Sequence, residues 1–198
     1  PTAELSTGAA CSLSSAVGAE GHAAVAWRAG CAAGGNEVFL ARAAPGQPFG
    51  IAESASKGES ASATAVGVGG DGTTATVWLR NGAVRGAITG GAPSTVSSDG
   101  LTSGAPAVVV TKGAEVVAAW RAGAGATARI VATKPASRAF GSPGAISADG
   151  VADAVPLLAA GGDSVIALWR RGELVEAARR SAGGGFGPAG PVSKQGAT

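Results

Sequence analysis

Four arginines follow the four tryptophans of this sequence by one or two positions, and such a repeated guanidinium could bind an anion. The guanidinium presents a planar fork of N–H donors that suits carboxylates, sulfates and phosphates. Aspartates in nearby Gly-rich segments could flank a ligand, or they could pair with the arginines and hold loops in place. Both interpretations stay open. The candidate ligand-binding residues are Arg28, Arg80, Arg121, Arg170, Asp99 and Asp149, with Arg171 and Asp153 beside them.

The sequence contains few of the residue types that other catalytic mechanisms need. The chain has no Tyr and one histidine, His22, so neither a zinc site nor a cofactor site is expected, and no catalytic residue is assigned. Acids such as Glu20, Asp71 and Asp163 lie in Gly-rich turns, where they are ordinary turn formers. A pair of carboxylates for glycoside hydrolysis stays the alternative for these acids.

Composition excludes several classes of protein. Of 198 residues, 34 are Gly, 45% are hydrophobic and 14% are charged, with a net charge of +2. This charge is too low for a nucleic-acid partner bound through phosphates. No apolar run approaches the roughly 18 residues of a membrane helix, so no membrane partner is expected. Val, Ile, Leu, Phe and Trp recur along the chain, which argues against disorder.

The tryptophans mark an internal repeat. Each ends a thirteen-residue segment with a Gly-rich or Asp-rich middle and an apolar end, and successive tryptophans are 42 to 51 residues apart. This spacing is typical of propeller blades. The four segments are 15–27, 66–78, 108–120 and 157–169.

Each unit continues with a second apolar stretch, a turn and a short final stretch. The unit therefore predicts four antiparallel strands, here called A to D, with Gly and Asp in the tight A–B turns. Residues 1–8 resemble a lone strand D. The predicted A–B turns are 18–21, 69–72, 111–114 and 160–163, the C strands are 37–42, 83–89, 128–134 and 174–179, and the turns after strand C include 48–50, 140–143 and 186–188.

Strand B is apolar at nearly every position, as in 116–120 and 165–169. A strand with one wet face would alternate, so burial on both faces between packed sheets is expected. One Trp at the same place in each strand B favours a core residue over a platform for sugar rings. Phe49, Phe140 and Phe186 are similarly expected to pack turns.

The two cysteines, Cys11 and Cys31, fall at the open end of the first A–B hairpin. Neighbouring strands satisfy the Cα separation of a disulfide. A bridge closing this loop would stabilise the fold by about 3 kcal/mol and would imply an exported protein. Two buried free thiols are the alternative.

The Trp-Arg pair, the Ala-x-Arg type strand C and the FG-x-P turn before Val/Ile-Ser together resemble β-propeller repeats of secreted bacterial proteins, including sialidase-like and lectin-like propellers. The resemblance covers nearly the whole chain. It implies an Asp-box, to which 71–78 is loosely similar, and for the enzymes a Tyr nucleophile with an Arg triad. Because the chain has no Tyr, sialidase catalysis is not expected.

We therefore predict an all-β propeller-type domain over 1–198, made of four four-stranded antiparallel blades of about 46 residues, at 9–57, 58–100, 101–150 and 151–198. The ring is either closed or part of a larger one, and a β-sandwich or solenoid is the alternative fold. B–C and D–A loops share one face of a propeller, which would gather the arginines there.

The predicted function is a secreted, non-enzymatic module that recognises a glycan or protein through this face. A glycoside hydrolase and a structural repeat of a larger surface protein are the alternatives. A homodimer or flanking domains could complete the ring.

Overall fold

The computed structural model describes residues 4–6, 8–31, 36–97, 104–134, 136–150 and 155–193. These residues form four β-sheets in chain order, and a three-residue 3-10 turn, Gly125–Thr127, lies within the third sheet. No helix in this part of the chain could span a membrane. The first sheet contains β1 (Ala10–Val17), β2 (Ala23–Ala29), β3 (Glu37–Ala43) and β4 (Glu53–Ser54); the second contains β5 (Ala63–Val68), β6 (Thr74–Arg80), β7 (Ala83–Ile88) and β8 (Ser94–Thr95). The third contains β9 (Ala107–Val110), β10 (Glu115–Ala122), β11 (Arg129–Thr133), β12 (Ala136–Ser137) and β13 (Pro143–Ala145); the fourth contains β14 (Leu157–Gly161), β15 (Ser164–Arg171), β16 (Leu174–Arg180) and β17 (Gly190–Pro191).

Each sheet has the predicted meander of antiparallel strands A to D. The strands A, which are β1, β5, β9 and β14, lie innermost and contact one another in chain order. The all-β propeller-type fold predicted from the repeat is thus confirmed, and the sandwich and solenoid alternatives are not needed. Of the lone strand D predicted over 1–8, the described residues 4–6 and Gly8 form no strand, and the others lie outside the described residues.

The third sheet departs from the four-strand pattern. Its third strand is divided into β11 and β12, both of which pair with β10 on the edge opposite β9. Pro135, which itself lies outside the described residues, separates the two parts in sequence, and proline has no N–H to donate to a ladder.

The A–B turns lie where Gly and Asp predicted them. Gly21 and Gly72 have φ of +85° and +82°, a conformation that favours glycine. Close approach between sheets also needs glycine, because a Cβ on Gly67 of β5 would lie 2.9 Å from the Cα of Val109 in β9. Small residues therefore let the innermost strands lie against each other.

Burial of strand B differs between inner and outer sheets. The apolar residues of β6 and β10 are buried on both faces, as predicted. In β15, by contrast, buried residues alternate with partly exposed ones, and in β2 they do so except at Trp27, which is buried on the face away from the second sheet. The prediction of burial on both faces is therefore wrong for β15 and in part for β2, because among the described residues the first and fourth sheets each pack against a neighbouring sheet on one face.

The tryptophans are core residues, as the repeat indicated. Trp78 and Trp120 are fully buried, and Trp27 and Trp169 are nearly so. Phe140 and Phe186 pack against the edges of the same cores. Burial of these rings supplies much of the hydrophobic stabilisation between sheets.

A serine after strand D repeats in all four sheets. The Oγ of Ser56, Ser97, Ser147 and Ser193 accepts a hydrogen bond of 2.8–3.0 Å from a backbone N–H of strand C. Strand D is only two or three residues long, so this side chain extends the ladder by one bond. The serine of the Val/Ile-Ser motif, which is Ala-Ser in the first sheet, thus holds the outermost strand of each sheet to strand C.

The predicted disulfide between Cys11 and Cys31 is present, with a Cα–Cα distance of 6.5 Å. It joins the start of β1 to the residues after β2, at the end of the hairpin opposite the A–B turn. This bridge fixes the first sheet at the face formed by the B–C loops.

Candidate functional site

A central cleft of about 300 Å³ lies among the innermost strands of all four sheets. Its walls are mainly backbone and small apolar side chains, such as Ala16, Val66 and Ala159. Lys112 is the one charged residue of the lining among the described residues, and its Nζ lies 3.7 Å from Glu20 Oε1 of the first A–B turn. Apart from Lys112, the cleft therefore offers a ligand mainly shape and backbone groups, with few charged or polar side chains.

The face formed by the B–C loops, at the end of the sheets away from the A–B turns, carries the repeated arginines. Two of these arginines join neighbouring sheets. Arg28 Nη1 donates hydrogen bonds of 2.9 Å to Asn36 Oδ1 and to the carbonyl of Ala61, which leads into the second sheet. Arg80 lies 3.3 Å from Glu59 in the segment between the first and second sheets. These contacts hold loops together, and a ligand role for Arg28 and Arg80 stays a prediction.

Glu59 is the acid at the centre of this loop contact. Arg85 donates to both of its oxygens, at 2.7 and 3.1 Å, and Arg80 adds a second positive charge. The hydrogen bond from Arg85 is the main cause that lowers the pKa of Glu59; burial opposes it, and the charges of Arg85 and Arg80 add to the lowering. The carboxylate is thus held ionised between the first two sheets.

This lowered pKa predicts a pH-dependent contribution to stability. A carboxyl group whose folded-state pKa lies below its unfolded value stabilises the fold above the unfolded value, and this contribution is lost as pH falls through the folded pKa. We expect Glu59→Gln to be less stable than the parent at neutral pH and to lose less stability on acidification below pH 4.5, the ordinary pKa of glutamate. Urea unfolding at several pH values measures this, with Glu173→Gln, an exposed acid, as the control. Equal pH dependence in Glu59→Gln and the parent would contradict the assignment.

The remaining candidates are placed as follows. Arg121 is partly buried, whereas Arg170 and Asp149 are exposed. Asp149 makes no ion pair with any described residue, and the acid that pairs with a repeated arginine among these residues is Glu59. Asp99 and Asp153 lie outside the described residues. Their predicted roles, and ligand binding by Arg121, Arg170 and Asp149, stay predictions.

A groove of about 440 Å³ lies between the third and fourth sheets, and it combines charged and apolar walls. Glu176 lies opposite Trp169 in the β15–β16 ladder. Glu176 Oε2 accepts a 2.9 Å hydrogen bond from Trp169 Nε1 and lies 3.2 Å from Arg171 Nε, an ion pair without hydrogen-bond alignment. Ile146, Phe186 and Pro188 supply apolar walls.

Both charged groups of the groove are held in place yet reachable. Arg171 Nη2 donates to the carbonyl of Ala148 at 2.9 Å, which ties it to the third sheet. The side chains of Arg171 and Glu176 are 29% and 14% exposed. A carboxylate and a guanidinium fixed side by side can accept and donate hydrogen bonds to one ligand.

One residue explains why this groove is open. In the first sheet, Glu59 comes three positions after Ser56 and fills the space beside Arg80 and Arg85. In the third sheet, the residue three positions after Ser147 is Gly150, which has no side chain to place there. The Arg171–Glu176 pair was not singled out as a pair from the sequence. Its signal was the register that sets Glu176 opposite Trp169.

An ion pair also lies at the face formed by the A–B turns. Asp71 Oδ2 lies 2.7 Å from Arg138 Nη2, and its carboxylate accepts hydrogen bonds from Thr73 N and Oγ1. Burial alone would raise the pKa of Asp71, but these hydrogen bonds and Arg138 lower it below its ordinary value. His22 is partly buried beside Gly72 of the same turn.

Comparison with known proteins supports the fold and supplies no family. No family model matches the chain, and no curated protein matches its sequence. The resemblance to sialidase-like propellers therefore finds no support. Among solved structures, a puromycin hydrolase in complex with PGG matches 94% of this chain at 18% identity and a TM-score of 0.52. This chain spans 32% of the length of that hydrolase.

Two further solved structures are more distant. A GH43 protein from Bacillus licheniformis matches 83% of this chain and 40% of its own, at 14% identity and a TM-score of 0.41. An α-L-arabinofuranosidase from Podospora anserina in complex with cellotriose matches 90% of this chain and 66% of its own, at 12% identity and a TM-score of 0.42.

These findings correct one prediction. The sequence was interpreted as a non-enzymatic module because Tyr and a catalytic constellation were missing. A solved structure similar to it is a hydrolase, and this finding contradicts the non-enzyme prediction. The physical reason is that residue types missing from a propeller segment say nothing about chemistry supplied by the rest of a larger protein.

Proposed function

We propose that this chain is the propeller portion of a secreted hydrolase and that the groove between the third and fourth sheets binds part of a glycan substrate. The observation that carries the proposal is the Arg171–Glu176 pair, fixed beside Phe186 in an open groove. The fold likeness to a hydrolase three times as long as this chain supports a place within a larger enzyme. The disulfide agrees with export.

The groove suits a sugar ring better than a simple anion. Phe186 and Pro188 offer apolar surface to the C–H face of a ring, while Glu176 can accept from hydroxyls and Arg171 can donate to them. An anion alone would meet the Glu176 carboxylate beside the guanidinium and would be repelled. The ligand expected is therefore a neutral oligosaccharide.

The role proposed for this chain is binding and positioning. A glycosidase general acid needs a raised pKa. The pKa values of Glu59 and Asp71 are lowered instead, and each carboxylate is paired with an arginine. These two acids therefore suit structural ion pairs. We assign no catalytic residue within the described part of the chain.

The test is a binding screen of the folded chain against neutral and acidic oligosaccharides, followed by calorimetry on the best ligand. We expect Glu176→Gln and Arg171→Ala each to weaken binding by about 10- to 100-fold, the cost of a hydrogen bond to a charged group. Glu173→Gln and Arg179→Ala, both exposed and outside the groove, are the matched controls and should bind as the parent does. Circular dichroism melting would confirm that all four variants fold.

Two results would contradict this proposal. The first is a folded chain that binds no oligosaccharide, and the second is binding that survives both groove variants. The hydrolase part is tested separately by following cleavage of the same oligosaccharide by the larger protein that the proposal assigns this chain to, with and without Glu176→Gln. Cleavage whose KM rises in Glu176→Gln while kcat stays constant is expected, and a bound but uncleaved oligosaccharide would contradict it.

A structural repeat of a larger surface protein is the second candidate. It is favoured by the exposed apolar side chains on the outer faces of the first and fourth sheets, such as Leu13 and Leu157. Such a repeat would bind no sugar in the screen above.

A further inference from the structure

Each tryptophan of the inner interfaces packs toward the sheet that precedes its own. Trp78 of the second sheet shares a core with Val38 and Leu40 of the first. Trp120 shares one with Val84 of the second sheet, and Trp169 shares one with Ile130 of the third. Each sheet thus has a Trp face, which in the second, third and fourth sheets meets the sheet before it, and a receiving face, which in the first, second and third sheets meets the sheet after it.

The Trp face of the first sheet has exposed apolar residues. Ala16 of β1 belongs to the core shared with the second sheet, so its neighbours along the strand, Val17 among them, point to the opposite face. Leu13 and Val17 are 72% and 74% exposed. On this face Trp27 stacks on Phe39 of its own sheet, with ring centroids 6.1 Å apart, and is itself only 4% exposed, so the exposed apolar surface is that of β1.

The receiving face of the fourth sheet is exposed as well. Leu157 pairs with Leu168 across the β14–β15 ladder, on the face opposite Trp169, and Leu157 is 66% exposed. Ile166 and Val175 belong to the same face by register. An apolar sheet face of this kind marks an interaction site or an aggregation liability.

Arg170 lies on this receiving face. Its counterpart in the first sheet, Arg28, shows which hydrogen bond Arg170 would make to a following sheet. Arg28 also follows its tryptophan directly and donates to the carbonyl of Ala61, two residues before β5 of the next sheet. By the same register, Arg170 would donate to the residue two positions before the first strand of a further sheet. In this chain that position before β1 is Gly8.

From these two faces we infer that copies of this chain associate head to tail, with the Trp face of one on the receiving face of another. The interface formed would continue the one that the chain repeats three times internally, with Arg170 reaching the Gly8 carbonyl of the second copy. A contact between two different faces of one protein is heterologous, and it closes when the rotation allows. Two copies give eight sheets, within the range of four to eight blades known for propellers. This inference does not rest on the proposed function.

The experiment is a mass measurement by light scattering across a wide range of protein concentration. We expect a pair of chains, at twice the 18.6 kDa of one. Val17→Glu on the Trp face and Leu157→Arg on the receiving face should each give monomers, because each buries a charge in both contacts of the ring. Both residues are largely exposed in the single chain, so folding should persist. Ile51→Arg, at a position 98% exposed, is the control and should remain paired.

Mixing identifies the head-to-tail arrangement. In an equimolar mixture of Val17→Glu and Leu157→Arg, one contact is unaltered and the other brings Glu against Arg, so the mixture should recover the mass of a pair. A monomeric parent at all concentrations would overturn the inference. Failure of the mixture to recover would also overturn it, because contacts between like faces would not be restored by mixing.

Discussion

Replacing Glu115 with leucine is expected to lower the free energy of unfolding by about 3–5 kcal/mol. Glu115 Oε2 lies 2.5 Å from Nη2 of Arg180, whose side chain is fully buried between the third and fourth sheets. Arg180 also donates to the carbonyls of Asp163 and Gly184. Without Glu115, the guanidinium would stay buried without a counter-charge. Urea unfolding measures the loss.

A double variant separates the ion pair from simple packing. Because Glu115→Leu with Arg180→Met removes both charges, it should recover most of the stability lost in Glu115→Leu alone. Glu173→Leu, at an exposed position, should change stability by less than about 0.5 kcal/mol. Additive losses in the double variant would show that the two side chains do not depend on each other.

Replacing Trp120 with alanine is expected to cost about 3–5 kcal/mol, because it empties the centre of the largest core. Trp120 is fully buried and shares this core with residues of the second and third sheets. Its Nε1–H has no hydrogen-bond partner among the described residues, so Trp120→Phe removes volume without removing a bond and should cost less. Thermal and urea unfolding followed by circular dichroism measure both variants.

The control for this core is an apolar side chain on an outer face. Leu157→Ala, at a position 66% exposed, should leave the stability of the single chain nearly unchanged. Equal losses from Trp120→Ala and Leu157→Ala would contradict the placement of the core between inner sheets.

Local features of the fold could be predicted because their causes are local. Gly21 and Gly72 mark turns through their backbone freedom, and the tryptophans recur at one place in strand B. Cys11 and Cys31 could be paired because the hairpin between them fixes their register. Each of these inferences needs only one repeat and its strand pairing.

Contacts between sheets could not be predicted in the same way. Arg180 and Glu115 are 65 positions apart, and Arg85 and Glu59 are 26 apart, so their pairing depends on how one sheet lies on the next. From the repeat, every strand B was predicted to be buried on both faces. This is wrong for β15, because among the described residues the fourth sheet packs against a neighbouring sheet on one face. The periodicity of the sequence describes one repeat, but it does not show whether that repeat has a neighbouring sheet on one face or on both.

The candidate site shows the same division. Arg28 and Arg80 were singled out by repetition, and the structure places both in contacts between sheets. The Arg171–Glu176 groove depends on the absence of a side chain like that of Glu59, and glycine is the usual residue at this position of the repeat, as at Gly100, Gly150 and Gly196. The groove also needs Glu176 opposite Trp169, where the other sheets have Phe39, Arg85 and Val131, so the repeat alone could not predict it.

The central claim is that the Trp rings of the second, third and fourth sheets each pack on the sheet before their own, since the groove and the two outer faces both follow from that order. Nuclear Overhauser contacts from the four Trp rings to assigned methyl groups test it most directly. We expect Trp78 to contact methyls of Val38 and Leu40, and Trp169 to contact those of Ile130. Contacts of Trp78 to methyls of β9 or β10, in place of Val38 and Leu40, would contradict the account.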